Sequence, residues 1–126
     1  MIFGIGTDFV QVVRLQRGLE RFGERFAVRI LAETELDEFR RHLRPANFLA
    51  RRFAAKEAAA KAMGTGISNG ITLRQISVTH DSKGKPQLVF TGQALEFLRA
   101  SRVRHTHISI ADEADYAVAF VVLETG

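Results

Sequence analysis

Residues 45 to 63, PANFLARRFAAKEAAAKAM, constrain this chain more than any other stretch. Pro45 suits the first turn of a helix, because its missing N–H would have found no intrahelical acceptor there. From Pro45 the sequence reads as one long helix through Phe48, Leu49, Phe53 and the alanines to about Met63, and Gly64, Gly66 and Gly70 then end it in the loop GTGISNG. The six alanines of FAAKEAAAKA leave little side chain between this helix and whatever packs on it. Phe53, Glu57 and Lys61 share one side, at about 0°, 40° and 80°, while Lys56 points about 60° the other way. An i,i+4 pair of Glu57 with Lys61 on a solvated face would contribute only about 0.2–0.5 kcal/mol. Apolar neighbours on most sides argue the other way, for a covered carboxylate that needs a cation or hydrogen bonds. Both readings are open at the level of spacing.

Around that helix, runs of helix are followed by runs of strand, with no strict βαβ alternation. Ile2 to Gly6 reads as a short buried strand, after which Thr7 or Asp8 offers an oxygen to cap a helix. Val10, Val13, Leu15 and Leu19 keep helical spacing to about Phe22, with Gly23 as a stop. Arg14, Arg17 and Arg21 lie on one face of that helix as a basic stripe. Phe26, Ile30 and Leu31 suggest a further helical piece, and Thr34 reads as the N-cap of an acidic first turn. Ile76 and Val78, then Leu88 and Phe90, alternate as paired strands across HDSKGKPQ. Gln93 to Arg102 is helical, and His105–Ala111 and Tyr116–Leu123 are strands joined by the turn DEAD. The expected fold is α+β: a mainly antiparallel sheet packed with one long and several short helices. With 126 residues, 46% of them hydrophobic, the chain suits a single domain over residues 1–126.

Charge and composition narrow the chemistry. A net charge of +4 and a pI near 10.1 favour an acidic partner: nucleic acid, a phosphorylated small molecule or an acidic protein. The absence of cysteine excludes disulfides, thiolate metal sites and Cys nucleophiles. MIFGIGTDFVQ holds too short an apolar run for a signal-peptide core, and no run approaches a membrane span, so a cytoplasmic protein with no membrane association is expected. Asp8 is either a helix cap or a ligand, since it follows two glycines where backbone can approach a bound molecule. If Asp8 and Glu57 met, their hard oxygens would suit magnesium, which keeps waters and takes phosphate oxygens. GIGTD matches neither a GxGxxG turn nor a GxxxxGK[ST] loop. His105 and His107 face the same way on their strand, with Ser109, but no third metal ligand and no GxSxG elbow accompany them.

GIGTD at 4–8, RFAAKEAAAKAMGTG at 52–66, GKP at 84–86 and HISIADEADYAVAFVV at 107–122 resemble, in order and over nearly the whole chain, the holo-acyl-carrier-protein synthases. These are the short, trimeric phosphopantetheinyl transferases. The resemblance implies transfer of the 4'-phosphopantetheine arm of coenzyme A to a serine of apo acyl carrier protein, a step of fatty acid biosynthesis that releases adenosine 3',5'-bisphosphate. It implies Asp8 and Glu57 as magnesium ligands and, with Lys61, as the catalytic set, Glu57 or a metal-bound water taking the serine proton. Lys61, Gly64, Lys83, Lys85, Pro86, His107 and Ser109 would line coenzyme A, in a pocket between subunits of a homotrimer. Arg14, Arg17 and Arg21 would dock the acidic carrier protein. One departure puts a contact in doubt: many relatives carry Ser or Thr then His where Ala111 and Asp112 follow Ile110 here. Two alternatives remain from other classes, a small basic nucleic-acid-binding module and a metal-dependent phosphohydrolase. The first is disfavoured because the phenylalanines sit at core spacing with no RNP-like run.

Overall fold

The computed structural model describes residues 1–126, and it places the glycines and alanines of two motifs against each other. Strand β1 (Ile2–Gln11) is followed by helices α1 (Val12–Phe22), α2 (Glu24–Ile30), α3 (Glu33–Arg41) and α4 (Pro45–Met63). A hairpin of β2 (Ile76–His80) and β3 (Pro86–Phe90), helix α5 (Gly92–Ala100) and a second hairpin of β4 (Val103–Asp112) and β5 (Tyr116–Thr125) complete the chain. The strands form two antiparallel sheets, one ordered β1-β5-β4 and one of β2 with β3. The α+β expectation holds, with two separate sheets in place of one.

Helix α4 begins with Pro45 in its first turn and ends on Gly64 in the left-handed conformation, φ 81°, a backbone geometry that glycine adopts without a Cβ clash. Thirteen of its nineteen residues are buried. One side lies on the inner face of the three-stranded sheet, where Val10, Ala117, Ala119, Val121 and Leu123 are buried. The approach is limited by backbone: a Cβ added to Gly4 would lie 2.0 Å from the Ala62 carbonyl oxygen, and one added to Gly6 2.0 Å from that of Ala58. The two glycines thus serve contact with the helix, where the sequence suggested contact with a ligand.

On another side of α4 sits a charged cluster that spacing gave no sign of. Lys56 is fully buried, and its Nζ donates to Glu35 Oε1 at 2.6 Å and to the Leu73 carbonyl at 3.1 Å. Glu35 also accepts from the backbone N–H groups of Ala32 and Val78 and from Arg52. Every neighbour of this carboxylate is a donor, so α3, α4 and β2 are tied through one side chain. Burial pushes the Lys56 ammonium down, and the Glu35 carboxylate pulls it back up. Removing one partner of such a buried pair typically costs about 3–5 kcal/mol, because the other is left uncompensated.

Several boundaries differ from the sequence reading. β1 runs on to Gln11, and its Ile2 and Ile5 are exposed, so it is neither short nor buried. Asp8 therefore lies inside a strand, paired with Ala119, and caps nothing; the N-cap of α1 is Gln11, with no side-chain cap bond. Thr34 is likewise inside α3, whose start is held by Glu35 reaching back to Ala32 N–H. No helix is long and apolar enough to cross a membrane.

The strand–helix contact gives a direct test. In Gly6→Ala the methyl must force β1 off α4, and overpacking of this kind costs roughly 1–3 kcal/mol. Urea denaturation should move to a lower midpoint; an unchanged midpoint would mean the two backbones do not meet as closely as described.

Candidate active site

The close approach of β1 to α4 brings Asp8, Glu57 and Lys61 together. Asp8 is on the same face of β1 as Gly4, Gly6 and Val10, so its carboxylate points toward α4 and is mostly covered. Lys61, in the last turn of α4, does not turn back to Glu57. It reaches across to β1, where Nζ donates to Asp8 Oδ1 at 2.9 Å and to the Thr7 carbonyl at 3.0 Å. The i,i+4 ion pair allowed by spacing is therefore not formed; a strand residue took the lysine.

Glu57 is half-buried with no direct ion-pair partner. Burial raises its proton affinity, the neighbouring Asp8 charge raises it further, and Lys61 and Arg14 act against both. Two carboxylates and one ammonium thus face one another where β1 meets α4, beside Arg14 of the basic stripe. No group of three His, Cys, Asp or Glu side chains comes together as a ready metal cage. Two hard oxygen donors with open positions fit a cation such as magnesium, which completes its shell with water and phosphate, and do not fit zinc.

The remaining expected residues are not all on this side. Gly64 is exposed at the end of α4, one turn beyond the cleft. Lys83 and Lys85 stand exposed in the β2–β3 turn, whose shape Asp81 fixes by accepting from both of their backbone N–H groups at 2.8 and 2.9 Å. Those two bonds hold the Asp81 carboxyl below its ordinary range. Pro86 and Lys85 border a cavity of about 360 Å³ that also meets His107. His107 and Ser109 pair with Val122 and Phe120 on β5, on the face of the sheet opposite to Asp8 and α4. His107 hydrogen-bonds Glu124 through its Nε2. Asp112 turns back to Arg51 at 3.2 Å, so this departure from the resembling pattern ends in an ion pair. Together these two border a 240 Å³ cavity with Arg52, His80, Gly84 and Pro86.

Arg14, Arg17 and Arg21 are exposed along α1 as the spacing predicts. The basic surface continues further than that: Arg25 and Arg29 of α2, with Phe22 and Phe26, line a notch of about 260 Å³. The arginines at 21, 25 and 29 keep an i,i+4 interval across Gly23, a signal present in the sequence.

Glu57 also carries a pH signature. A folded-state pKa above the unfolded one means stability that is complete below about pH 4.5 and lost as pH rises through the native value. Glu57→Gln should therefore raise the Tm near about pH 8, and the gain should fade as the pH falls toward about 4. An equal gain at both ends of that range would deny the burial and repulsion acting on this carboxylate.

The sequence and fold have relatives that agree with each other. The family model of the 4'-phosphopantetheinyl transferase superfamily matches residues 4–121. The holo-[acyl-carrier-protein] synthase of Halorhodospira halophila is 61% identical over 126 residues, all of both chains. The crystal structure of the holo-[acyl-carrier-protein] synthase from Neisseria meningitidis matches with a TM-score of 0.93 at 47% identity, over 99% of this chain and 100% of that one. The Bacillus anthracis synthase, solved in complex with CoA (3',5'-ADP), matches at 0.81 and 38% identity over 100% of this chain and 99% of its own. By sequence over its full length and by fold, the chain belongs to the 4'-phosphopantetheinyl transferase superfamily, among its holo-[acyl-carrier-protein] synthases.

Proposed function

We propose that the protein transfers the 4'-phosphopantetheine arm of coenzyme A to a serine hydroxyl of apo acyl carrier protein and releases adenosine 3',5'-bisphosphate. The observation that carries this reading is the meeting of Asp8, Glu57 and Lys61 in one cleft, next to an exposed stripe of arginines. The serine oxygen attacks the pantetheine-bearing phosphorus, the bond from that phosphorus to the bridging oxygen breaks, and the electron pair leaves with the nucleotide. Asp8 and Glu57 would hold magnesium, which supplies charge neutralisation on the pyrophosphate. Lys61 would add a positive charge where negative charge builds up. Glu57 or a metal-bound water would take the serine proton. Lys83, Lys85 and Pro86 would meet the nucleotide end, held in place by the Asp81 turn.

The arginines of α1 and α2 fit an acidic carrier, with Phe22 and Phe26 giving the notch an apolar floor. The relatives by sequence and by fold are holo-[acyl-carrier-protein] synthases, which leaves a nucleic-acid module without support. A single 28-residue apolar cluster spanning β1 to β5 supports one domain over 1–126. Coenzyme A and acyl carrier protein are found with fatty acid synthesis, and a cytoplasmic setting follows from that reading.

Homotrimerisation is supported by the outer face of the three-stranded sheet. Ile5, Phe9 and Phe120 are exposed there by 58%, 62% and 45%, and Tyr116 stacks on Phe9 with ring centroids 4.8 Å apart. His107 and Ser109 lie on that same face, turned away from Asp8, so copies meeting through it would enclose them between subunits. Light scattering should give about three times the 14.1 kDa chain mass; a monomer at micromolar concentration would remove this part of the reading.

The function itself is tested by mass spectrometry of apo acyl carrier protein incubated with the protein, coenzyme A and magnesium. The carrier should gain the phosphopantetheine mass, and Asp8→Ala or Glu57→Ala should slow the gain by about 100-fold or more. No gain with the parent protein would sink the function. A near-normal rate in either variant would remove that residue from the site.

A further inference from the structure

The site already contains a positive charge placed on an oxygen that a metal ion would use. Lys61 Nζ holds Asp8 Oδ1 at 2.9 Å and the Thr7 carbonyl at 3.0 Å, so it takes two of the oxygens that β1 turns toward α4. The root of the side chain is held by α4 close against β1, where a Cβ added to Gly6 would lie 3.0 Å from Lys61 Cβ. Its far end is not, since the side chain is 54% exposed while that of Asp8 is 16% exposed. Glu57, one helical turn earlier, has no such bond and feels the Asp8 charge. Two carboxylates thus share one ammonium, which neutralises only one of them by contact.

We infer that Lys61 is a stand-in cation: a divalent ion entering between Asp8 and Glu57 displaces its ammonium from Asp8, so that ion binding and the release of Lys61 into the cleft are one exchange. This rests on the proposed placing of the cation on those two carboxylates. The exchange is physically accessible. An ammonium on a half-exposed stem holds its partner by little, whereas a divalent ion between two carboxylates gains from both. Once off Asp8, Lys61 keeps its root beside Gly6 and swings its charge over the same cleft. Its positive charge would then be offered to an anion only when the metal is present, which orders the two binding events.

The competing arrangement leaves Lys61 on Oδ1 and puts the ion on Oδ2, with no exchange. A titration with Mn²⁺ alone, without coenzyme A, separates the two through the free-ion electron paramagnetic resonance signal. Lys61→Met keeps the aliphatic stem and removes the competitor, so it should tighten Mn²⁺ binding by about fivefold, the equivalent of one exposed ion pair. Arg14→Gln removes a charge felt by Glu57 without freeing an Asp8 oxygen, so it should tighten binding by less than about twofold. Asp8→Asn should weaken it by about tenfold or more, whatever Lys61 does. Equal affinities for parent and Lys61→Met, or equal tightening in Lys61→Met and Arg14→Gln, would overturn the exchange and leave the metal site standing. An Asp8→Asn variant that binds like the parent would overturn the metal site and the exchange with it.

Discussion

Backbone against backbone, at Gly4 and Gly6 of β1 and Ala58 and Ala62 of α4, is the contact on which the rest of the site depends. A strand and a helix normally keep a side chain's thickness between them. Here no side chain intervenes, so the residues just beyond the contact, Asp8 on the strand and Glu57 and Lys61 on the helix, are carried within reach of one another. Alanine's helix propensity and its small size act together: the same residues that propagate α4 also let it sit low on the sheet. Any larger residue at 4 or 6 would widen the cleft before it changed any of the charged groups.

The opposite flank of α4 is held by different physics. Glu35, Lys56 and Arg52 form a buried polar cluster, and no fully buried side-chain polar atom in the chain is left without a hydrogen-bond partner. Desolvation offsets most of what such a pair gains, so its value lies in geometry more than in net stability. Apolar alanines could slide or rotate past their neighbours at small cost. A lysine that must meet Glu35 and the Leu73 carbonyl cannot, and so the rotation that aims Glu57 and Lys61 at β1 is fixed from behind.

Much of this was legible from local pattern, and what was not depended on distant partners. Pro45 and Gly64 bracket α4 in both the sequence and the structure, because those residues have only local reasons to be there. The β2–β3 pairing, with Ile76 opposite Phe90 and Val78 opposite Leu88, follows from alternation alone. β1 differs from its sequence pattern because glycine has no hydrophobic signal: Gly4 and Gly6 take the inner face, and the isoleucines that look like core, Ile2 and Ile5, are exposed. Asp8 was open as a cap or a ligand because nothing local decides between a strand and a helix start at that point. The Lys56–Glu35 bond spans 21 residues and the Lys61–Asp8 bond 53, and no spacing rule reaches that far. The opposed facing of His107 and Asp8 was hidden for the same reason, since it requires knowing that both strands flank β5.

Two lysines of one helix complete the argument. Lys56 and Lys61 are five residues apart and so about 140° apart around α4, and each holds one carboxylate and one backbone carbonyl. Their partners are chemically the same. What separates them is water: Lys56 is 0% exposed and Lys61 54%. Without solvent, the first ammonium has nowhere to go when its carboxylate is challenged, since leaving would strand two buried charges. With solvent, the second can be exchanged for another cation at low cost and remains tethered beside the place it left. Burial alone thus makes one ion pair a structural fixture and its neighbour a replaceable one, on the same helix and with the same pair of functional groups.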